Sequence, residues 1–354
     1  MNVVQRLLHR RFFIKLFNWE YWSFATVYFF IYPIWLFLCL RARSFFFFAA
    51  SNPSIKNGGF LSESKKDIAA IIPPQFHPKT VFFTLPCNPD IVLKEIKWAG
   101  LRYPLIGKPN IGARGRGVKA LGNDEDARNY IQKAFLDFHI QEFVSWKNEV
   151  GIFYCRYPGQ ARGVISGIVS KEFLSVTGNG IDTIRELLRK DRRAIMYLEK
   201  LENIHGDTMK TVLPEGERMI VSPYGNHSRG SKFLDYSHMA DEELTITIDE
   251  VCRQIPSFYF GRLDIRFDTW EALKQGRNFT IIEVNGAGSE PTHIYDPKHS
   301  LFFAWKEIIR HWIILWKISR MNHKNGHPYL SLKEGIAMFR ENRMISEKLA
   351  AMPE

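Results

Sequence analysis

The chain of 354 residues is 45% hydrophobic, 14% aromatic and 24% charged, which excludes a disordered or fibrous polypeptide and leaves room for about two domains. Its net charge of +11 is weighted to one end. Arg6, Arg10, Arg11, Lys15, Arg41, Arg43, Lys56, Lys65 and Lys66 face only Glu20 and Glu63 in the first 66 residues. A basic end that is also aromatic points to anionic lipid and away from nucleic acid. Cys39, Cys87, Cys155 and Cys252 have no paired spacing, so a disulfide framework or a zinc site is excluded and a reducing compartment fits.

In chain order, residues 1–19 interleave basic and apolar side chains, the pattern of an amphipathic helix lying in a membrane interface. Residues 22–40 carry no charge and are long enough to span a bilayer as a helix. Pro33 near the middle would kink or break that helix. Basic flanks on both sides then suggest a re-entrant hairpin, with a straight span as the rival and a buried core helix as the plain alternative. Residues 51–59, SNPSIKNGG, have the composition of a linker.

From residue 62 onward short β-like runs alternate with helical patterns. TVFFTL, YPLIGKP, HIQEFV, EVGIFYCRYP and RGVISGIVSKEF read as strands, and DEDARNYIQKAFLDF reads as a helix with acidic residues in its first turn. GIDTIRELLRKDRRAIMYLEK reads as one helix, and GRLDIRFDTW and NFTIIEVNG as paired strands. Residues 298–320 space Trp305, Trp312 and Trp316 at helical intervals among Lys306, Arg310 and Lys317, which fits a C-terminal helix packed on the domain, with membrane-surface contact as the alternative. The fold class expected is α+β, with antiparallel sheet in the second half. The boundaries expected are a membrane-inserted segment 1–50, a linker region 51–100, a main domain 101–297 and C-terminal helices 298–354.

Three stretches carry chemistry. In NFTIIEVNGAGSEP, Glu283 and Asn285 are two apart on a strand and project to one face, with Ile282 and Val284 on the other. Asp264 on the preceding strand would join them across a hairpin. Two carboxylates and a carboxamide are hard oxygen ligands suited to Mg²⁺ carried on phosphates. Arg262 shares the face of Asp264 and could hold a phosphate or a developing anion. Acidic residues on a surface hairpin are ordinary, so this pattern alone is weak. In YPLIGKPNIGARGRGV, Lys108 ends a strand and a glycine-rich loop follows through Gly112, Gly115 and Gly117. Such loops bring backbone N–H groups close to phosphate, although the closing G-K-[ST] of a P-loop is missing. A basic hairpin tip is the plain reading. In HIQEFVSWKNE, a strand running into a polar connection could offer backbone groups to adenine and Glu149 to ribose hydroxyls.

The order of lysine, glycine loop, acidic strand, Asp and E-x-N resembles the ATP-grasp superfamily of carboxylate–amine ligases, with the look of D-alanine–D-alanine ligase and cyanophycin synthetase. SVTGNGIDTIRELL (residues 175–188) is similar to a segment of the latter, and the resemblance covers residues 62–297. It implies an ATP-grasp fold with ATP and a pair of Mg²⁺ ions as cofactors. Lys65, or its neighbour Lys66, would be the first phosphate-binding lysine. Lys108 would bind the α/β-phosphates, with the 112–117 loop over the β/γ-phosphates. Gln141 stands where the family usually has a glutamate facing the adenine amino group, Glu142, Phe143 and Val144 would supply the backbone hinge, and Glu149 the ribose contact. Asp264, Glu283 and Asn285 are the implied metal ligands, and Arg262 is the arginine beside the transferred phosphoryl group.

The implied reaction makes an amide through an acylphosphate, with ADP and phosphate released. The family's N-terminal substrate domain is replaced here by the apolar segment. That suggests a carboxylate substrate that is a lipid or lipid-linked, an amine co-substrate, and a cell-membrane location with the catalytic domain on the cytoplasmic side. No nucleic-acid partner is expected. Asn226, His227 and Arg229 in YGNHSRGSKF are candidate substrate contacts. An ATP-dependent kinase, or a membrane protein that binds nucleotide without catalysis, are the other readings.

Overall fold

A computed structural model describes residues 11–112, 115–222 and 225–350. The chain divides into two compact units, each assembled from three stretches. The smaller holds Met1–Tyr32, Val169–Asp235 and Thr292–Glu307, and the larger holds Pro33–Ile168, Tyr236–Pro291 and Ile308–Glu354. The strands in chain order are β1 (Thr80–Phe83), β2 (Leu105–Pro109), β3 (Lys119–Leu121), β4 (Phe138–Glu142), β5 (Asn148–Cys155), β6 (Val164–Glu172), β7 (Leu174–Thr177), β8 (Arg218–Ser222), β9 (Lys232–Asp235), β10 (Phe260–Phe267) and β11 (Phe279–Asn285).

The larger unit contains two antiparallel sheets. The first has the order β1-β4-β2-β3. Its alternating pattern sends Leu105, Phe138 and Ile140 against the helices Pro89–Trp98 and Asp124–Lys133, where Val92, Ile96, Ala127 and Ile131 close one core. The residues between them, Lys108, His139 and Gln141, take the opposite face. Both helices begin on asparagine caps: Asn88 Oδ1 accepts from Asp90 N, and Asn123 Oδ1 accepts from Glu125 N and Asp126 N.

The second sheet runs β11-β10-β5-β6 in this unit. One face buries Val150, Ile152, Leu263, Ile265, Ile281 and Val284 against the helix Glu242–Gln254. The other face turns Gly151, Arg262, Asp264 and Glu283 away from that core. The helix Leu301–Lys324, expected to pack on the domain, buries Leu315 and Ile318 with Phe153 and Phe260 in a second cluster of this unit.

The smaller unit pairs β7 with β8 and the Val169–Glu172 end of β6 with β9. Leu174, Val176 and Val221 close on Ile184, Leu188, Ala194 and Leu201. The single helix expected over residues 180–200 is three: Ile184–Lys190, Arg192–Ile195 and Leu198–His205. Thr183 and Glu186 form a capping box at the first, and the Asp191 carboxylate stops the chain to cap the second.

The uncharged run over residues 22–40 is not one helix. It forms Phe24–Tyr28 and Tyr32–Ala42, and no described helix is long and apolar enough to cross a membrane. Pro33 is not the break. It sits in the first turn of the second helix, where its missing N–H costs nothing. The segment is built into the folded units. Val27 is buried and its carbonyl accepts from Trp305 Nε1 at 2.7 Å in the smaller unit, while Leu38 and Cys39 join Phe47 and Phe48 in the core of the larger. Of the amphipathic reading for residues 1–19, residues 1–10 lie outside the described residues, and Arg11–Phe17 is a helix.

Residues 51–59 are fixed, in contrast to the linker that their composition suggests. Asn52 is fully buried. Its Nδ2 donates to Gly58 O and Phe260 O at 2.9 and 2.8 Å, and its Oδ1 accepts from Phe260 N at 3.0 Å. The backbone of residues 58–60 lies directly on the turn after β11: Ala287 N donates to Gly58 O and Gly288 N to Gly59 O, both at 2.9 Å. A Cβ on Gly286 or Gly288 would collide with Gly58 O or Phe60 O, so two chains meet here without side chains between them.

Candidate active site

The register of β10 and β11 sets Asp264 directly opposite Glu283 and Arg262 directly opposite Asn285. All four therefore share one face of the sheet, as their spacing suggests. Strict alternation along β11 would not give this result, because Phe279 and Ile281 face the core and Glu283 would follow them. A bulge corrects the phase: Asp264 pairs with Glu283 but Ile265 pairs with Ile281, leaving Ile282 as the extra residue. The core-facing partner of Val284 on this strand is thus Ile281 and not the expected Ile282, which is only half-buried. On the other side of β10, Gly151 faces Asp264, so no side chain from β5 crowds the carboxylate.

Asp264 is buried and held by a two-point contact. Arg262 Nε donates to Oδ1 at 2.9 Å and Nη2 to Oδ2 at 3.3 Å. Burial opposes the guanidinium's charge, and Asp264 with Glu283 outweighs it and raises its pKa. Glu283 is more open, and Lys65 Nζ stands 3.9 Å from its Oε1. The Asn285 Nδ2 is buried with no partner. No group of three His, Cys, Asp or Glu side chains gathers to hold a metal among the described residues. The set here is two carboxylates and a carboxamide, and it fits a hard divalent cation such as Mg²⁺ by donor chemistry.

Lys65 and Lys66 are separated by the local fold. Ser64 caps the helix Lys65–Ile71. Lys65 Nζ turns inward and donates to Gly112 O at 2.8 Å, while Lys66 is exposed. Lys108 projects from β2 and donates to Gln141 Oε1 at 2.7 Å, and Gln141 Nε2 in turn donates to Thr80 Oγ1 at 2.9 Å. Burial, with Lys65 and Arg266 nearby, lowers the Lys108 pKa to about 8 against the pull of Glu283 and Glu149. Gly115 and Gly117 take left-handed φ of 69°, which only glycine adopts freely. Residues 113 and 114 of this loop lie outside the described residues.

At the expected hinge, Glu142 N donates to Lys79 O at 2.9 Å, and the Glu142 carboxylate accepts from Lys79 N at 2.8 Å. Val144 O accepts from Arg266 Nη1 at 3.1 Å. These groups brace the connection, and Phe143 stays exposed. Glu149 is buried, with its Oε2 3.3 Å from Arg266 Nε. That oxygen is thereby tied to the sheet.

Several neighbours were not legible from the sequence. Arg266 is one, although its position two residues beyond Asp264 is a signal. His139, opposite Lys108 in register, is pushed down to about 2 by burial and by Lys108. His77 is lowered to about 4 by the same causes. The Glu63 carboxyl is raised by burial, with Lys65 opposing and Glu283 adding to the rise.

Asn226, His227 and Arg229 lie in the smaller unit. Residues 223 and 224 of their loop are outside the described residues. His227 Nε2 is 2.9 Å from Glu20 Oε2, and Arg193 Nη1 donates to the same oxygen at 2.8 Å. Burial raises the Glu20 pKa, and His227 and Arg193 more than cancel this, so it ends below the ordinary value. The Asn226 carbonyl accepts from Arg229 N and Ser231 N, which closes the loop as a tight turn.

No protein-family model and no curated protein matches the sequence. Solved structures do. The chain is similar to the VanG D-Ala:D-Ser ligase of Enterococcus faecalis at 17% identity and a TM-score of 0.40, over 72% of this chain and 61% of that one. It is similar to D-alanine–D-alanine ligase of Bacillus anthracis at 13% identity and 0.39, over 74% and 67%. It is also similar to a bifunctional glutathione synthetase of Pasteurella multocida at 14% and 0.39, over 70% of this chain and 35% of that one. The chain thus spans about a third of the synthetase's length.

Proposed function

We propose that this chain is an ATP-dependent carboxylate–amine ligase. The observation that carries the reading is the bulged β10–β11 pairing. It presents Asp264, Glu283 and Asn285 on one sheet face of the larger unit, with Arg262 beside them and Lys65 against Glu283. Oxygen ligands next to guanidinium and ammonium groups suit a metal-bound polyphosphate more than any hydrolytic dyad.

The residues then divide the work. Lys65 and Lys108 neutralise the phosphates, and the 112–117 loop covers them. Arg262 draws charge from the γ-phosphoryl group as it leaves ADP. Asp264, Glu283 and Asn285 would hold Mg²⁺, which supplies further charge neutralisation when bound. The substrate carboxylate oxygen attacks the γ-phosphorus, and the bond to the bridging oxygen of ADP breaks. The amine nitrogen then attacks the acyl carbon, the carbon–oxygen bond to phosphate breaks, and the amine loses its proton. Positioning and charge neutralisation suffice, so no side-chain nucleophile is required. The buried Cys155 and Cys252 thiols, both with raised pKa, take no part.

The finer reading is that the carboxylate belongs to a lipid or a lipid-linked molecule reached at the cytoplasmic face of a membrane. It rests on the basic, aromatic N-terminal stretch. A screen of ADP release with paired carboxylates and amines tests both levels, using substrates labelled with ¹⁸O in the carboxylate. A ligase delivers one ¹⁸O to the released phosphate and forms an amide. Phosphorylated substrate without amide would replace the ligase with a kinase. A response confined to water-soluble pairs would remove the lipid.

A further inference from the structure

The helix Tyr32–Ala42 is apolar on two sides. Its inner side sends Trp35, Leu38 and Cys39 into the core of the larger unit. Its outer side leaves Leu36, Phe37 and Leu40 at 51%, 55% and 73% exposure, and Phe45 just beyond is 59% exposed. A helix on a water-facing surface places polar residues there, and a contiguous apolar face of this kind marks an interaction surface.

The surrounding charge says what fits it. Arg41 and Arg43 follow the stripe and are exposed, and the Arg41 guanidinium reaches back over the Phe37 ring at 5.9 Å. The next helix in space is Leu301–Lys324, which meets this one through Trp35 and Trp312, with ring centroids 5.1 Å apart. Its stretch over residues 308–326 exposes Lys317 and Lys324 and contains no Asp or Glu, and neither does the stretch over residues 33–46. The helix Leu332–Ala350, which packs at Phe46 through Phe339, carries both signs of charge, while the apolar side chains themselves are followed by Arg41 and Arg43. Apolar groups with cations beside them match the two layers of an anionic leaflet, acyl boundary and headgroups. A second copy of this face would set Arg41, Arg43 and Lys317 against their own kind. The helix has 11 residues, too few to cross a bilayer.

We infer that the larger unit docks in the plane of an anionic lipid surface through Leu36, Phe37, Leu40 and Phe45, with Arg41, Arg43, Lys317 and Lys324 on the headgroups. This deepens the membrane half of the proposed function and does not depend on the ligase chemistry.

Flotation of the full chain with phosphatidylcholine vesicles, with and without phosphatidylglycerol, tests it. Three substitution sets are compared with the unaltered chain: Leu36→Ser with Phe37→Ser and Leu40→Ser, Arg41→Gln with Arg43→Gln, and Glu283→Ala. The chain is expected to float with the anionic vesicles only and to release at high salt. The arginine pair should weaken partitioning about tenfold or more. The apolar triple should abolish it while the chain stays folded by circular dichroism. Glu283→Ala should float like the unaltered chain, so that loss of ADP release and loss of docking are read separately. Failure of the full chain to float overturns the inference. So does undiminished flotation of the arginine pair, which decides the matter if the triple does not fold. A stripe that instead drives self-association, seen as a dimer that the triple dissolves, overturns it as well.

Discussion

Glu283 reaches the site only because Ile282 is an extra residue in its strand. The sequence shows that Glu283 and Asn285 are two apart, and it does not show which face they take. Phe279 and Ile281, also two apart, are buried in the core and would carry Glu283 with them without the bulge. Local spacing is legible in a sequence; the phase between one end of a strand and the other is not. Replacing Glu283 with Ala, or Asp264 with Asn, should lower Mg²⁺-dependent ADP release by about a hundredfold or more. Asp264→Ala is the poorer test, because it also strands the buried Arg262 guanidinium, at a cost of roughly 3–5 kcal/mol. Lys108 gives a pH signature. Its ammonium is favoured by bound phosphate and disfavoured by burial, with a pKa of about 8 in the free protein. Nucleotide affinity should therefore be full below that pH and fall about tenfold per unit above it. Titration of an ATP analogue from pH 7 to 10 reads this. A flat profile there, or the same fall in Lys108→Met, would detach the effect from Lys108.

Elements are where alternation was most informative. β1, β2, β4, β5, β6, β10 and β11 all fall on runs that read as strands, since one face of each is buried against helices. β7 and β9 are only four residues long, too short for a period to declare itself. The helix Glu242–Gln254 is hard to see among polar residues, although it carries Leu244, Ile248, Val251 and Cys252 on one buried stripe. The junction of residues 58–60 with residues 286–288 depends on glycine on both chains. Gly288→Ala should cost about 2–4 kcal/mol in denaturant unfolding and lower turnover with it, because Phe60 O blocks the added carbon and backbone cannot step aside. In the smaller unit, Glu20 answers both Arg193 and His227. Glu20→Ala should destabilise by roughly 3 kcal/mol by removing the carboxylate partner of the buried Arg193 charge, whose remaining bonds go to Gly230 O and Ser231 O. The Glu20 pKa is lowered on folding, so its contribution is present above the ordinary carboxylate range and is lost as pH falls through the folded value. A thermal-unfolding difference between the unaltered chain and Glu20→Ala that persists unchanged to about pH 3 would contradict that.

At the scale of the molecule, hydropathy alone does not separate a membrane segment from a protein core, because both remove the same side chains from water. Residues 22–40 show how the two merge. Leu38 and Cys39 are core, and Leu36, Phe37 and Leu40 are surface, on one helix whose uncharged sequence gave no hint of the division. Lys108, Asp264 and Glu283, far apart in the sequence, belong to one unit, with Asp264 opposite Glu283 in register. The loop that holds His227 belongs to the other unit. In the function proposed, the polar face of the β5-β10-β11 sheet, with Lys65 and Lys108, binds metal–ATP. Calorimetric titration of a non-hydrolysable ATP analogue, with and without Mg²⁺, tests it directly in the unaltered chain, Glu283→Ala and Lys108→Met. Mg²⁺-dependent binding that weakens by about tenfold or more in each variant is the result predicted. Absence of binding in the unaltered chain, or equal affinity in all three, would contradict it.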